Sequence, residues 1–224
     1  MDQSFHAHLI EVQRIVAHRG RLFLGLYLLL FTAPYLYLDL VTPESDGGYF
    51  LMNFVGIGLN FMLLYTLMRE SDLLGGGPRT GIASFFGLSL IHSLGVLIGL
   101  VLVVLPGIYL MARWLPAFGR LLVSDEGVVR ALGWSWDETS GQLSPLLLAL
   151  SAPISVIGLS LAAIFLPITL VEIYPNWPWE TIGLVALLTS NVGLSIGLAW
   201  YTVLGVSVYA CLRDAPDEAV EAFE

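Results

Sequence analysis

The stretch that decides the fold is residues 81–123, GIASFFGLSLIHSLGVLIGLVLVVLPGIYLMARWLPAFGRLLV. Its 43 residues would reach about 65 Å as one helix, about twice the hydrocarbon thickness of a bilayer. Pro106 and Gly107 lie near its centre, and Pro-Gly is a strong turn signal. We therefore expect two membrane spans here, at about 84–105 and 108–123.

Four further apolar runs flank this stretch, and each is long enough for a transmembrane helix of about 20 residues. They cover about residues 22–41, 49–68, 143–171 and 181–212. The predicted fold is therefore all-α: a polytopic transmembrane helical bundle of six spans that occupies residues 22–212.

The composition excludes a soluble domain. Hydrophobic residues make up 57% of the chain and charged residues only 12%, whereas soluble domains are about 25% charged. The net charge of −9 and the lack of a basic stripe exclude nucleic acid as a partner. The single cysteine, Cys211, excludes an intrachain disulfide and a cysteine-based metal centre within one chain.

The arginines predict the orientation, because cytoplasmic segments of membrane proteins carry an excess of basic residues. With six spans and a cytoplasmic N-terminus, the outer loops receive four acids and no arginine. Both termini are then predicted to be cytoplasmic. Eight of the nine arginines fall on the cytoplasmic side: Arg14, Arg19, Arg21, Arg69, Arg79, Arg120, Arg130 and Arg213.

Three segments lie outside the spans. Residues 1–21 predict an amphipathic helix, either on the cytoplasmic leaflet or as a soluble cap, from the spacing of Phe5, Leu9, Val12 and Val16. A cytoplasmic surface helix is predicted between spans four and five, with one apolar face formed by Val128, Leu132 and Trp136. Residues 213–224 form an acidic cytoplasmic tail.

Polar groups inside spans are candidate functional residues, because burying them costs free energy. Arg113 is predicted to form a salt bridge with an acid, to extend its guanidinium to the membrane surface, or to bind a lipid phosphate. Asn53 and Asn60 lie seven residues apart on one helix face and suit interhelical hydrogen bonds or a polar cavity. His92 and Asn191 are interpreted as packing residues, and Asp39 is assigned to the membrane interface.

The sequence contains no motif for catalysis, metal binding or a cofactor. His6 and His8 point to different sides of a helix, so they do not predict a shared ion with His18. No phosphate-binding loop, Gly-x-Ser-x-Gly or His-Glu-x-x-His occurs. Small residues at four-residue spacing favour close helix packing within the chain, or in a homo-oligomer.

Residues 105–141 resemble one bacterial six-span family. The sequence Leu105-Pro-Gly-Ile-Tyr-Leu-Met-Ala-Arg113 leads through Asp125-Glu126 to Ala131-Leu-Gly-Trp-Ser-Trp-Asp-Glu-Thr-Ser-Gly141. This is similar to the membrane domain attached to some glycerophosphoryl diester phosphodiesterases and to its stand-alone YciC-like relatives, with Glu138 in place of the usual Leu. The resemblance implies a helical hairpin followed by a cytoplasmic surface helix. The motif residues are Pro106, Gly107, Arg113, Glu126, Ser135, Trp136 and Gly141.

The resemblance does not imply phosphodiesterase activity for this chain, because the predicted spans leave no room for the catalytic barrel. The predicted function is that of a non-enzymatic protein of the bacterial inner membrane, an accessory subunit that binds lipids or partners. Its expected partners are membrane lipids and another membrane protein or a second copy of the chain. The alternative is a small transporter or lipid-translocating protein, and an intramembrane enzyme is the third hypothesis.

Overall fold

The computed structural model of the protein describes residues 3–42, 46–75, 80–102, 104–171, 173–174 and 176–213. Within these ranges the chain forms helices and no strand, which confirms the predicted all-α class. In chain order, the helices are α1 (Gln3–Arg19), α2 (Arg21–Val41), α3 (Asp46–Glu70), α4 (Ile82–Leu102), α5 (Val104–Trp114), α6 (Ala117–Val123), α7 (Val128–Glu138), α8 (Leu143–Leu170) and α9 (Trp179–Arg213).

Five of these helices are long and apolar enough to cross a membrane: α2, α3, α4, α8 and α9. Four predicted spans agree with α2, α3, α8 and α9 to within three residues at each end. Pro34 lies inside α2, and Pro153 and Pro167 lie inside α8. Proline is tolerated inside transmembrane helices because neighbouring groups satisfy the carbonyl that it leaves free.

The predicted fourth span, 108–123, differs most from the structure. The chain forms two short helices there, α5 and α6, which Leu115 and Pro116 separate. Pro116 has no backbone N–H, and its ring crowds the carbonyl four residues earlier. The helix is interrupted at this proline, whereas α2 continues through Pro34 and α8 through Pro153 and Pro167. Each of the two helices is shorter than a transmembrane span.

The turn predicted at Pro106 and Gly107 does not lie at these residues, because both belong to α5, which begins at Val104, whereas α4 ends at Leu102. Pro106 is the third residue of α5, where a missing N–H costs nothing since the first-turn donors have no intrahelical partner. Gly107 is buried against α4. A Cβ atom built on Gly99 of α4 would lie 2.8 Å from the backbone N and Cα atoms of Gly107. The Pro-Gly pair therefore starts a helix and permits a close crossing.

The chain divides into two compact units. The first unit comprises Met1–Arg21, Leu64–Leu150 and Val203–Glu224. It has a tightly packed core, in which α4, α6 and α7 meet at Leu88, Leu121 and Ala131, all fully buried. The largest fully buried side chains described all belong to it: Leu9, Val16, Leu67, Met68, Leu88, Leu115, Leu121, Leu122, Leu146, Leu150, Leu204 and Val206.

Within the first unit, α1 has the predicted amphipathic pattern, since Leu9 and Val16 are buried whereas Arg14 is exposed. Val128 and Leu132 of the predicted apolar face of α7 pack against the core, beside Ala131. Ala131 and Ser135 are fully buried, whereas Trp136 is 38% exposed. The location of either helix at a membrane surface stays a prediction.

The second unit comprises Leu22–Leu63 and Ser151–Thr202. It contains parts of α2, α3, α8 and α9, and many of its large apolar side chains are exposed, as expected for helices that face lipid. The most exposed include Leu29, Phe50, Met62, Leu159 and Phe165. The predicted acidic tail, apart from Arg213, and the predicted cytoplasmic Arg79 lie outside the described residues.

Candidate functional site

The most elaborate polar cluster of the first unit surrounds Arg113, in the last turn of α5. The residue is only 8% exposed. Its Nη1 donates to the Trp136 carbonyl oxygen at 2.8 Å and to Thr139 Oγ1 at 3.3 Å. Its Nε donates to Tyr109 Oη at 3.0 Å. One guanidinium therefore joins α5 to the C-terminal half of α7.

Two hydroxyl groups complete this connection. Ser135 Oγ donates to the Arg113 carbonyl oxygen at 2.6 Å, and Thr139 Oγ1 donates to the Ser135 carbonyl oxygen at 2.7 Å. Ser135 and Thr139 are both fully buried. Because both hydroxyl protons are directed at backbone carbonyls, this geometry stabilises the helix pair and does not prepare a nucleophile.

The charge of Arg113 is surrounded by neutral groups. Its guanidinium carbon lies 4.8 Å from the ring centre of Trp136 and 5.3 Å from that of Tyr109. Such cation–π contacts contribute about 2 kcal/mol when they are desolvated. Among the described residues no carboxylate forms an ion pair with Arg113. We name Arg113, Tyr109, Ser135, Trp136 and Thr139 the arginine cluster.

Glu126 belongs to a different arrangement. Its carboxylate accepts two hydrogen bonds from Arg120, at 2.7 and 3.2 Å, and Arg120 also lies over the ring of Trp134. Hydrogen bonding to the Arg120 guanidinium lowers the pKa of the Glu126 carboxyl. An open cavity of 480 Å³ adjoins this pair, lined by Arg120, Val123, Ser124, Asp125, Glu126 and Arg130. We name it the α6–α7 pocket.

The polar residues Asn53, Asn60 and Asn191 lie in the second unit and form hydrogen bonds between helices. Tyr27 Oη donates to Asn60 Oδ1 at 2.9 Å, between α2 and α3. Tyr35 Oη approaches Asn53 Oδ1 at 3.4 Å, between the same helices. Asn191 on α9 has a partner that the sequence did not indicate.

That partner is Asp39. Asn191 Nδ2 donates to Asp39 Oδ2 at 2.8 Å, and Tyr49 Oη donates to Asp39 Oδ1 at 2.6 Å. Asp39 was predicted to be an interfacial residue, yet it connects α2, α3 and α9. Thr32 and Ser195 add a further α2–α9 contact at 2.8 Å. We name these interhelical contacts, with the Tyr27–Asn60 and Tyr35–Asn53 pairs, the polar seam.

The other predicted site residues do not join the arginine cluster. His92 is buried between the rings of Phe118 and Trp114, at 5.3 and 6.2 Å, as expected for a packing residue. Pro106 and Gly107 lie in the first turn of α5. Gly141 is exposed, and a Cβ built on it meets no atom within 4 Å.

Several hydrogen-bond partners of these residues were not predicted from the sequence. Tyr109 was indicated by its position four residues before Arg113, which places both on one helix face. Thr139 stands inside the family-like motif but was not selected. For Asp39, the sequence indicated only a carboxylate near the end of an apolar run. Its partner Asn191 is 152 residues away, so no local pattern predicts their contact.

Comparisons with known proteins add no assignment. No protein-family model matches the chain. No curated protein and no solved structure is significantly similar to it. The resemblance of residues 105–141 to the six-span family therefore stays a prediction, and the function is inferred from the geometry described above.

Proposed function

We propose that the chain is a non-enzymatic, multi-pass protein of the bacterial inner membrane that acts as a lipid- or partner-binding accessory subunit. The observation that carries this proposal is the segregation of charge between the two units. All nine arginines belong to the sequence of the first unit, whereas the second unit contains five acids and no Arg, Lys or His. The positive-inside rule then assigns the arginine-bearing helix ends to the cytoplasm.

Contacts inside the first unit support an orientation with both termini cytoplasmic. Arg19 Nη1 donates to the Glu70 carbonyl oxygen, which connects the end of α1, two residues before α2 begins, to the end of α3. Arg213 Nη1, at the end of α9, donates to the Leu73 carbonyl oxygen at 3.0 Å. Thr80 Oγ1 donates to the Leu121 carbonyl oxygen, so the chain returns to its starting level after α4, α5 and α6. These contacts support a common side for these helix ends, which any even number of complete crossings requires.

The arginine cluster supports kinship with the YciC-like family. Arg113, which carried the resemblance together with Ser135 and Trp136, lies 22 and 23 residues before them and forms hydrogen bonds with both in the folded chain. In this proposal, the cluster fixes α7 to the hairpin at the level of the lipid headgroups. The charges of α7, Arg130, Asp137 and Glu138, are all exposed, which suits that level.

The α6–α7 pocket is our candidate for lipid binding. Arg120 is already paired with Glu126, so Arg130 supplies the cation for a phospholipid phosphate. Ser124 also lines the pocket, with its hydroxyl donated to the Arg120 carbonyl oxygen at 2.9 Å. Arginine suits this role because its planar guanidinium matches phosphate oxygens in pairs.

Replacing Arg130 is expected to release bound phospholipid. A basic residue near an anionic membrane surface contributes about 1 kcal/mol, so Arg130→Glu should weaken retention on the order of tenfold. Native mass spectrometry of the protein in mild detergent would measure the lipids that co-purify, together with any protein partner.

Arg14→Glu is the matched control, because Arg14 is an exposed arginine in α1 that does not line the pocket. It makes the same charge change and should leave lipid retention unchanged. Equal loss in both variants would reduce the effect to net charge, and retention by Arg130→Glu would exclude the pocket as the lipid site.

The polar seam favours the alternative function, a small transporter or lipid-translocating protein. Asp39 is a carboxylate in an apolar helix, held by neutral donors from two other helices, and such residues often mark ion pathways. If the alternative holds, vesicles containing the protein should show a cation flux that Asp39→Asn abolishes while the protein stays folded. Asp46→Asn, which changes an acid at the start of α3, is the control. No flux in wild-type vesicles would exclude this alternative.

A further inference from the structure

The tip of the α4–α5 hairpin has an unusual composition. Residues 94–108, LGVLIGLVLVVLPGI, contain no hydroxyl, amide or charged side chain in 15 positions. The other two connections proposed to face the outside, 42–48 and 172–180, each carry two acids. A connection that emerges into water needs polar groups, and this one offers none.

The side chains at the tip are also the least covered part of the hairpin. Val101, Leu102 and Leu105 are 77%, 73% and 74% exposed. At about 25 cal/mol per Å² of apolar surface, leaving three such side chains in water would cost several times the thermal energy. An exposed apolar patch of this kind indicates contact with hydrocarbon.

The lengths of α4 and α5 beyond their contacts with α7 limit the depth that the tip can reach in the bilayer. The charged helix α7 packs against α4 at Leu88 and against α5 at Arg113. Leu102 lies 14 residues beyond Leu88, about 21 Å along a helix, and Val104 lies nine residues from Arg113, about 14 Å. Both lengths fall short of a hydrocarbon core of about 30 Å.

The helix ends on both sides of the tip suit a nonpolar setting. Irregular backbone in hydrocarbon is costly because its N–H and C=O groups lack partners. Here α5 begins two residues after α4 ends, and Pro106 removes one of the N–H groups that a first helical turn leaves unpaired. Close packing of Gly99 on Gly107 keeps the two helices together up to the tip.

We propose that α4 and α5 form a re-entrant hairpin, which enters the bilayer from the cytoplasmic side and ends among the acyl chains. This inference rests on the proposed function, because it takes α7 as the marker of the cytoplasmic headgroup level. Four helices, α2, α3, α8 and α9, then cross completely. Both termini stay on one side, because a hairpin that turns back leaves the orientation of the later helices unchanged.

Cysteine labelling in right-side-out and inside-out vesicles tests the hairpin. The only native thiol, Cys211, is buried and can be replaced by alanine. Asn176→Cys should react with an impermeant maleimide only from outside, and Asp137→Cys only from inside. Leu102→Cys and Leu105→Cys should react from neither side, yet react fully after denaturation in SDS.

A depth measurement distinguishes a tip that lies in lipid from one that neighbouring protein shields from the maleimide. A bimane label on Leu105→Cys, introduced in detergent before reconstitution, should be quenched more by lipids brominated in mid-chain than by a headgroup quencher. Tip labelling from outside at the rate of Asn176→Cys would overturn the proposal in favour of a complete crossing. Tip labelling from inside would overturn it in favour of a hairpin outside the bilayer. Exchanged sides for Asn176→Cys and Asp137→Cys would instead overturn the proposed orientation.

A charge at the tip gives a second, independent measurement. Leu105→Asp should lower the yield of folded protein several-fold, because a carboxylate would enter hydrocarbon. Asn176→Asp, in the outer connection, should leave the yield unchanged. If Leu105→Asp is tolerated as well as Asn176→Asp, the tip lies in water and the re-entrant hairpin is wrong.

Discussion

Gly99→Ala is expected to destabilise the protein by about 2 kcal/mol, because the new methyl group would meet backbone that cannot move aside. A Cβ at Gly99 would lie 2.8 Å from both the N and the Cα of Gly107, and 3.1 Å from the carbonyl carbon of Pro106. No side-chain rotation relieves these contacts, so α5 must shift away from α4. The gain in helix propensity from Gly to Ala, about 1 kcal/mol, offsets only part of the cost.

Gly87→Ala is the matched control in the same helix. A Cβ at Gly87 meets only Val128 Cγ2, at 3.8 Å, an ordinary van der Waals contact. This variant should gain up to about 1 kcal/mol from helix propensity. The two melting temperatures in detergent should therefore move in opposite directions, Gly99→Ala down by about 4–8 °C and Gly87→Ala slightly up. Equal melting temperatures would contradict the close crossing.

Local sequence patterns predict the helices of this fold that depend on their own residues alone. The runs that became α2, α3, α8 and α9 were predictable, because an apolar segment of 20 or more residues has few alternatives to a helix. The amphipathic spacing in α1 was equally visible, and Leu9 and Val16 of that pattern are buried. In these segments, burial and periodicity act along one helix and need no knowledge of its neighbours.

The break between α5 and α6 differs from the sequence prediction. The apolar pattern predicts a span that includes Pro116 and a turn at Pro106. In the structure, Pro106 lies in the first turn of α5, where a proline continues a helix, and the helix is interrupted at Pro116. Hydropathy alone does not distinguish the two positions.

Long-range polar partners could not be predicted. Arg113 was singled out as a buried charge, but its contacts with Trp136 and Thr139 depend on how α7 docks on α5. The Asp39–Asn191 hydrogen bond joins residues 152 positions apart. Such pairs are set by helix packing, which a single sequence does not specify when many small residues allow several helix contacts.

Arg113→Leu is expected to cost about 2–3 kcal/mol of unfolding free energy. The substitution removes a charge-assisted hydrogen bond to the Trp136 carbonyl oxygen, worth about 1.5–3 kcal/mol, and the cation–π contacts with Trp136 and Tyr109. Removing a buried charge also ends its desolvation cost, so the loss stays below the sum of these contacts. Thermal unfolding in detergent would measure it, with exposed Arg14→Leu, within about 0.5 kcal/mol of wild type, as the control.

Arg113→Lys tests whether the positive charge alone holds α7 on α5 or whether the planar guanidinium with its separate donors is required. A lysine keeps the positive charge, but a single ammonium cannot replace the separate donors, Nε to Tyr109 and Nη1 to Trp136. We expect it to recover less than half of the lost stability. Hydrogen exchange should show faster exchange in α7 for Leu and Lys alike, because both release α7 from α5. Full recovery by Lys would show that charge alone holds α7, and unchanged exchange in both variants would contradict the arginine cluster as the connection between these helices.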